Sequence, residues 1–482
     1  MSTTPPSSDS VEHGGRSWRP TLRTWLVLIL ALILTTPFLL RAWFIWSVPD
    51  IRPFDENAFC KVEIPADQNA FTFYREAGRL AEGVQAAHNA GNIVMPVENM
   101  DEVVEKGWGV ANDSLKAWCQ DYRKPLEKWR KGTELSDAYY VSPREVTFKV
   151  DVMTQFPVLN EARNFSRLAR FEGLRLESEG DFLKAREWYL AVFRCSRHFT
   201  RYSFNLQRMT GSALHALASA SLVRWAEDPH VTLDQLQSAL KEVKSADQMT
   251  ATASSTLKTD YLLACHTLNQ RGWLQRMQEE DDGDGNEPAA TLTSIALWLV
   301  GEPQTTERVL RQILSNQINE IDKPLSEQQP QAGLANAAVF KCDPKLSGQP
   351  NQLGPLEINQ AVSRLLITRI FVPAPQNFDQ FTNQVTRDRA RQLALEIGLA
   401  AQAYRREYGE FPEASAAFVP KFFEQWPADP FSQTGQPMRY LRENPTSAAV
   451  WSVGTDGNDD NGDVTYTEKQ SAKDVGISLK AR

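Results

Sequence analysis

From Trp25 to Leu40 the chain reads Trp-Leu-Val-Leu-Ile-Leu-Ala-Leu-Ile-Leu-Thr-Thr-Pro-Phe-Leu-Leu, without a charged residue. Such a run is costly in water and suits a lipid bilayer, whose core takes about 20 apolar residues as a helix. The run is short of that length, but Arg41 can snorkel while Ala42-Trp-Phe-Ile-Trp46 continues the apolar face. Trp43 and Trp46 suit the membrane interface. Bulky Arg41, Trp43 and Phe44 stand where a cleaved signal peptide would need small residues, so residues 24–46 are expected to form a retained transmembrane anchor. Arg16, Arg19 and Arg23 precede it in a polar tail, residues 1–23, expected to be disordered and cytoplasmic. The other flank mixes Arg41 and Arg52 with Asp50, Asp55 and Glu56. This charge bias predicts a single-pass protein of the bacterial inner (cytoplasmic) membrane with its body in the periplasm or outside.

The 482 residues are enough for two or three domains, each with its own core. A formal net charge of −8 and a pI near 5.5 leave no basic face for phosphates, so no nucleic-acid partner is expected. Cys60, Cys119, Cys195, Cys265 and Cys342 are scattered, with neither a CxxC pair nor the spacing of a zinc site. Their odd number means that at least one is free or pairs between molecules.

From Asn69 to about Pro324 apolar residues recur at three and four, predicting helices packed as hairpins or bundles within a body of residues 47–325. The clearest hairpin runs from Phe165 to Arg194, with Gly180 ending one helix and Asp181 capping the next. It resembles a tetratricopeptide unit, with Gly173, Leu176, Ala185, Tyr189 and Val192 at that repeat's packing positions. No neighbouring copy is visible, so a generic helical hairpin is the simpler reading. Gln278 to Pro288 is acidic and glycine-rich, and Asp281, Asp282 and Asp284 read as a solvated loop rather than calcium ligands. Residues 326–356, rich in Gln, Pro, Gly and Asn, are expected to be a linker.

The remaining segment, residues 357–482, changes character. A long helix from about Asp379 to Tyr408 carries an apolar stripe of Leu393, Ile397, Ala400, Tyr404 and Tyr408. Strand-like runs follow, and Met438–Arg442 should pair with Ala448–Val453 as an antiparallel hairpin. The predicted fold class is therefore mainly α, with a small C-terminal α+β unit of one long helix plus an antiparallel hairpin. That order of elements, with Tyr404-x-x-x-x-Gly-x-Phe-Pro412, Asp429-Pro430-Phe431 and Ser452-Val-Gly-Thr-Asp-Gly457, resembles the major pseudopilin of type II secretion systems over about residues 391–467. The resemblance implies a calcium ion in the closing loop. Asp456 and Asp463 are then its leading side-chain ligands, supplemented by Asp459, Asp460 or Asn461. Closely spaced carboxylates among glycines suit calcium, which takes six to eight oxygens. The chain departs from the family in its distant anchor and in Arg387, Arg389 and Arg391, where an apolar half-helix would stand, so assembly into a pseudopilus is not implied.

No catalytic motif stands out. His13, His88, His198, His215, His230 and His266 are scattered without metal-ligand or catalytic spacing, and no Gly-x-Ser-x-Gly or phosphate loop is present. The sequence leads to a membrane-anchored extracytoplasmic scaffold with a protein partner. The alternative is an envelope hydrolase whose site is assembled from residues distant in sequence.

Overall fold

The computed structural model describes residues 21–47, 49–90, 99–146, 152–268, 295, 298–299, 301–328, 375–464 and 474–481. Asp281, Asp282, Asp284, Cys342 and nearly all of the expected linker lie outside them. Thr21 opens α1 (Leu22–Trp46) by accepting the N–H of Thr24. This helix is long and apolar enough to cross a membrane, and Trp25, Leu28, Leu32, Ile33 and Leu39 all face outward. Among the described residues, Phe38, Arg41 and Ile45 in its second half touch the body.

Helices dominate the rest, as the 3.6-residue periodicity requires. The short α2 (Glu56–Phe59) leads to α3 (Ala70–Ala90), followed by α4 (Met100–Lys106), α5 (Asp113–Asp121) and α6 (Arg123–Thr133). Next come α7 (Val152–Ser178), α8 (Phe182–His198), α9 (Asn205–Glu227), α10 (Leu233–Asp247), α11 (Ala253–Leu268) and α12 (Gln304–Glu320). Local chemistry sets several boundaries. Gly180 follows α7 at φ +83°, and the Asp181 carboxylate accepts the N–H of Lys184 to start α8, both as the sequence led one to expect. Thr232 and Gln235 form a reciprocal capping box on α10. α8 lies between α7 and α9, and α3 packs on α6.

The C-terminal unit begins with α13 (Pro375–Tyr408), which ends as expected but starts slightly earlier. β1 (Arg439–Asn444) and β2 (Ser447–Ser452) form the expected antiparallel hairpin. A third strand, β3 (Val475–Lys480), was not foreseen; it pairs antiparallel with β2, so β2 is central. Its buried Val475 and Leu479 and half-buried Ile477 alternate with Gly476, Ser478 and Lys480 in the period-two pattern of a strand. The six residues are too few for that pattern to stand out alone.

The helix α13 also differs from the expected one-stripe amphipath. Ile397 and Ala400 of the stripe are buried, but so are Ala394, Leu395, Leu399, Ala401 and Ala403, while Tyr408 is exposed. The reason is its place in the fold, where β2 and β3 cover one face and α9 and α10 the other. A single apolar core therefore runs from Phe71 and Trp129 through Leu190 and Trp225 to Leu399, Val450 and Leu479. A second core gathers Tyr261, Leu310, Leu314, Phe381 and Val385 from α11, α12 and the start of α13.

Candidate functional site

A groove of about 1090 Å³ lies between α5–α6 and α7–α8. Leu126, Leu168, Leu176 and Trp188 form an apolar floor, each less than a tenth exposed. The walls carry charges that mostly neutralise one another. Arg175 binds Glu172 at 2.7 Å, Lys184 binds Asp181 at 2.7 Å, and Arg123 lies 3.4 Å from Glu127. Arg130 stacks 4.9 Å over the Trp188 ring and donates to Glu187 at 2.9 Å. Lys116 and Lys131 on the α5–α6 wall are exposed and make no ion pair among the described residues. Burial, followed by the charge of Glu172, pushes the Cys119 thiol up to about 12, which disfavours its thiolate.

A second cluster lies where α13 meets the body. Arg197, 1% exposed, donates through Nη1 to Asp388 Oδ2 at 2.9 Å and through Nη2 to Gln392 Oε1 at 2.8 Å, and lies 3.0 Å from Asp247. Asp388 Oδ1 sits 2.7 Å from His215 Nδ1, and Arg197 Nη2 lies 3.2 Å from His215 Nε2. A carboxylate only accepts, so His215 carries its proton on Nδ1, facing Asp388. Burial, then the charge of Arg197, lowers His215 to about 4. Burial works to raise Asp388, but His215 and Arg197 outweigh it and hold the carboxyl well below its usual range. His215 is fully buried, with Asp388 at its Nδ1 and the Arg197 guanidinium 3.2–3.4 Å from both ring nitrogens, so the cluster is a clamp that fastens α13 to α8 and α9.

Three other titratable groups lie within the body, and only His198 has both of its polar atoms partnered among the described residues. His198 Nε2 donates to Leu135 O at 2.8 Å while Nδ1 accepts from the Tyr74 hydroxyl at 2.6 Å, and burial lowers it to about 4. Asp260, raised to about 7 by burial, accepts the N–H of Asn205, and Glu161, raised to about 7 by burial and then Glu82, lies against Gly78. Neither carboxylate lines the groove. Cys60, Cys119, Cys195 and Cys265 form no disulfide among the described residues.

At the end of the sheet the structure joins the two segments singled out by the pseudopilin resemblance. Asp429, 3% exposed, takes the Ser452 hydroxyl at 2.5 Å on Oδ1 and the Val453 N–H at 3.0 Å on Oδ2, and also binds Arg439 at 3.1 Å. In the loop beyond, Asp456 is exposed and turns back to accept the N–H of Asn458 at 3.1 Å. Asp459 holds the Trp451 indole N–H at 2.9 Å and the N–H of Asn461 at 3.1 Å, with Arg439 at 3.4 Å. Asn461 takes a positive φ of 58°; Asp460 is half-buried and Asp463 exposed. Among the described residues no three His, Cys, Asp or Glu side chains group so as to hold a metal ion. Sequence reasoning missed Asp474, whose Oδ2 accepts the Gly462 N–H at 2.9 Å and whose Oδ1 is buried without a hydrogen-bond partner. Burial raises its carboxyl, and Asp459 and Asp460 push the same way. Only its position just before β3, eleven residues beyond Asp463, could have drawn attention to it.

Comparison with known proteins finds no matching family, no matching curated protein and no matching solved structure.

Proposed function

We propose that this chain is a membrane-anchored extracytoplasmic scaffold whose helical body holds an acidic segment of a protein partner in the groove between α5–α6 and α7–α8. The observation that carries this reading is the groove's construction. Its charges are largely neutralised in place above an apolar floor, while Lys116 and Lys131 on one wall make no ion pair among the described residues. Such a surface favours a partner with apolar anchors and acidic groups. A hydrolase would need convergent, uncommitted ionisable groups, and the buried histidines already have partners. Photo-crosslinking amino acids at Lys116 and Lys131 in intact cells are expected to trap one species of defined mass. Lys116→Glu with Lys131→Glu should abolish trapping from a third groove position, Gln120. Equal trapping from the exposed Asp234 on α10 would defeat the reading.

The topology carries its own prediction. A periplasmic reporter fused after Asp55 should be active, and external protease should reach the body only after the outer barrier is opened. A mature chain that begins near Ser47 would show instead that α1 is removed.

The C-terminal unit serves as a second docking module, stabilised by calcium at the end of its sheet. Asp456 and Asp463, with Asp459, Asp460 and Asn461, remain the ligands implied by the resemblance; the unpartnered buried oxygen of Asp474 adds a carboxylate that a cation would satisfy. Neighbouring carboxylates repel without a cation, so calcium at about one hundred times its Kd should stabilise the full chain by about 2.7 kcal/mol. Chelator should lower the melting temperature of the wild type but not that of Asp463→Ala with Asp474→Asn. Coincident wild-type melts with calcium and with chelator would leave a polar hairpin end.

A further inference from the structure

We propose that Ile295 and Trp298 form a second membrane-contacting element, seated in the bilayer beside α1. The proposal rests on α1 being the membrane span. Trp298 and Ile295 are exposed apolar side chains, at 38% and 53%, on a body that otherwise buries most of its large apolar groups. The Trp298 ring meets Phe38 edge-on at 5.4 Å, and the Arg41 guanidinium lies 5.1 Å over it. Farther along α1, a Cβ at Gly301 would come within 2.6 Å of Ile45 Cγ1, so only glycine allows this approach. Trp298 beside Phe38 and Gly301 beside Ile45 give the segment its direction. It runs outward with α1, and Ile295 lies on the inward side of Trp298.

Depth follows from helix geometry. Arg23 belongs at the inner interface, and about 20 residues counted from Thr24 carry the hydrocarbon core to about Trp43. Phe38 then lies about 7 Å below the outer limit of the core, at about 1.5 Å per residue. A ring packed on Phe38 shares that depth, so Trp298 is within the bilayer and Ile295 is at least as deep.

Arg41 supports the same placement. A cation at this level is costly unless it finds partners. Instead of snorkelling, Arg41 donates to the carbonyls of Trp298 and Glu302, the latter at 3.3 Å, and to Gln304 Oε1 at 2.5 Å. Just outside, Arg308 donates to Ile45 O at 2.8 Å, and Arg311 pairs with Asp50 at 2.7 Å. The body is thus fastened to the outer third of the span, with its apolar side chains turned to the acyl chains.

The test uses the full chain in phosphatidylcholine vesicles, with a fluorescent amino acid at Ile295 or, separately, at Leu34. Both positions are exposed, so the probe displaces no core. Doxyl-labelled lipids should quench both probes strongly, while aqueous iodide should leave both nearly unchanged. Quenching of the Leu34 probe by lipid but of the Ile295 probe by iodide alone would overturn this proposal and leave the anchor standing. Iodide quenching at Leu34 would overturn both.

Discussion

Replacing Asp388 with alanine is expected to destabilise the protein by about 3–5 kcal/mol, as expected when one member of a buried ion pair is removed and the other stays in place. Arg197 is the group left behind. It is 1% exposed and draws two short contacts from α13, to Asp388 and to Gln392. Without Asp388, His215 loses the acceptor of its Nδ1 proton as well. Because the clamp joins α13 to α8 and α9, the loss should appear as separation of the C-terminal unit, seen as early hydrogen exchange along α13. Equilibrium unfolding of the full chain in detergent gives the magnitude, and a loss below about 1 kcal/mol would show that water solvates the site freely. Substituting both sides, Arg197→Met with Asp388→Leu, should cost much less than Asp388→Ala alone, because the buried guanidinium goes with its carboxylate and Asp247, the anion left behind, is 36% exposed.

The same clamp has a pH dependence of fixed sign. His215 is lowered from its ordinary value to about 4 in the folded state, so the unfolded chain takes up the proton first. The stability tied to a neutral His215 is present above about pH 6.5 and is lost as pH falls toward 4. Asp388, also held low, adds a loss in the same direction at still lower pH. The stability advantage of the wild type over His215→Gln should therefore shrink on acidification from pH 7 to pH 4. An advantage that grows would reverse the assignment of the neutral imidazole.

The second large effect is expected at Tyr189, where alanine should cost about 3–5 kcal/mol, the range for emptying a buried aromatic site. The side chain is fully buried at the centre of the α7–α8–α9 layer. It lies so close to α7 that a Cβ on Gly173 would be 2.3 Å from its ring, so the helices cannot collapse into the space without shifting their backbones. Its hydroxyl donates to Glu177 Oε1 at 2.7 Å and accepts from Arg224 at 3.1 Å. Tyr189→Phe should cost only about 1 kcal/mol, because Glu177 and Arg224 still hold each other. Denaturant midpoints of the two variants test this. Equal losses would mean that the polar contacts dominate; small losses in both would mean that the hairpin repacks.

Features whose signals are local could be read from the residues alone. The apolar run alone marks α1 as a helix able to cross a membrane. Gly180 and Asp181 set the α7–α8 turn because a helix end needs its backbone groups capped whatever lies around it. The β1–β2 hairpin and the long helix before it follow from periodicity and turn residues in the same way. Tertiary structure alone decided what depends on residues brought together from afar. Nothing near His215 or Arg197 announces Asp388, 173 and 191 residues away, because their pairing exists only once α13 lies across α8 and α9. The two buried faces of α13 were hidden for a related reason: alanines, a glycine and a buried Gln402 on the second face look solvent-compatible, yet their small size is what lets another layer pack there. Trp298 reads as one more aromatic in a tryptophan-rich chain until it is found against Phe38, where its depth is inherited from α1 rather than from any neighbour in sequence. Burial periodicity records which side of an element faces inward, whereas the identity of what it faces is a property of topology, and the groove, the clamp and the membrane-side contact all belong to that second kind.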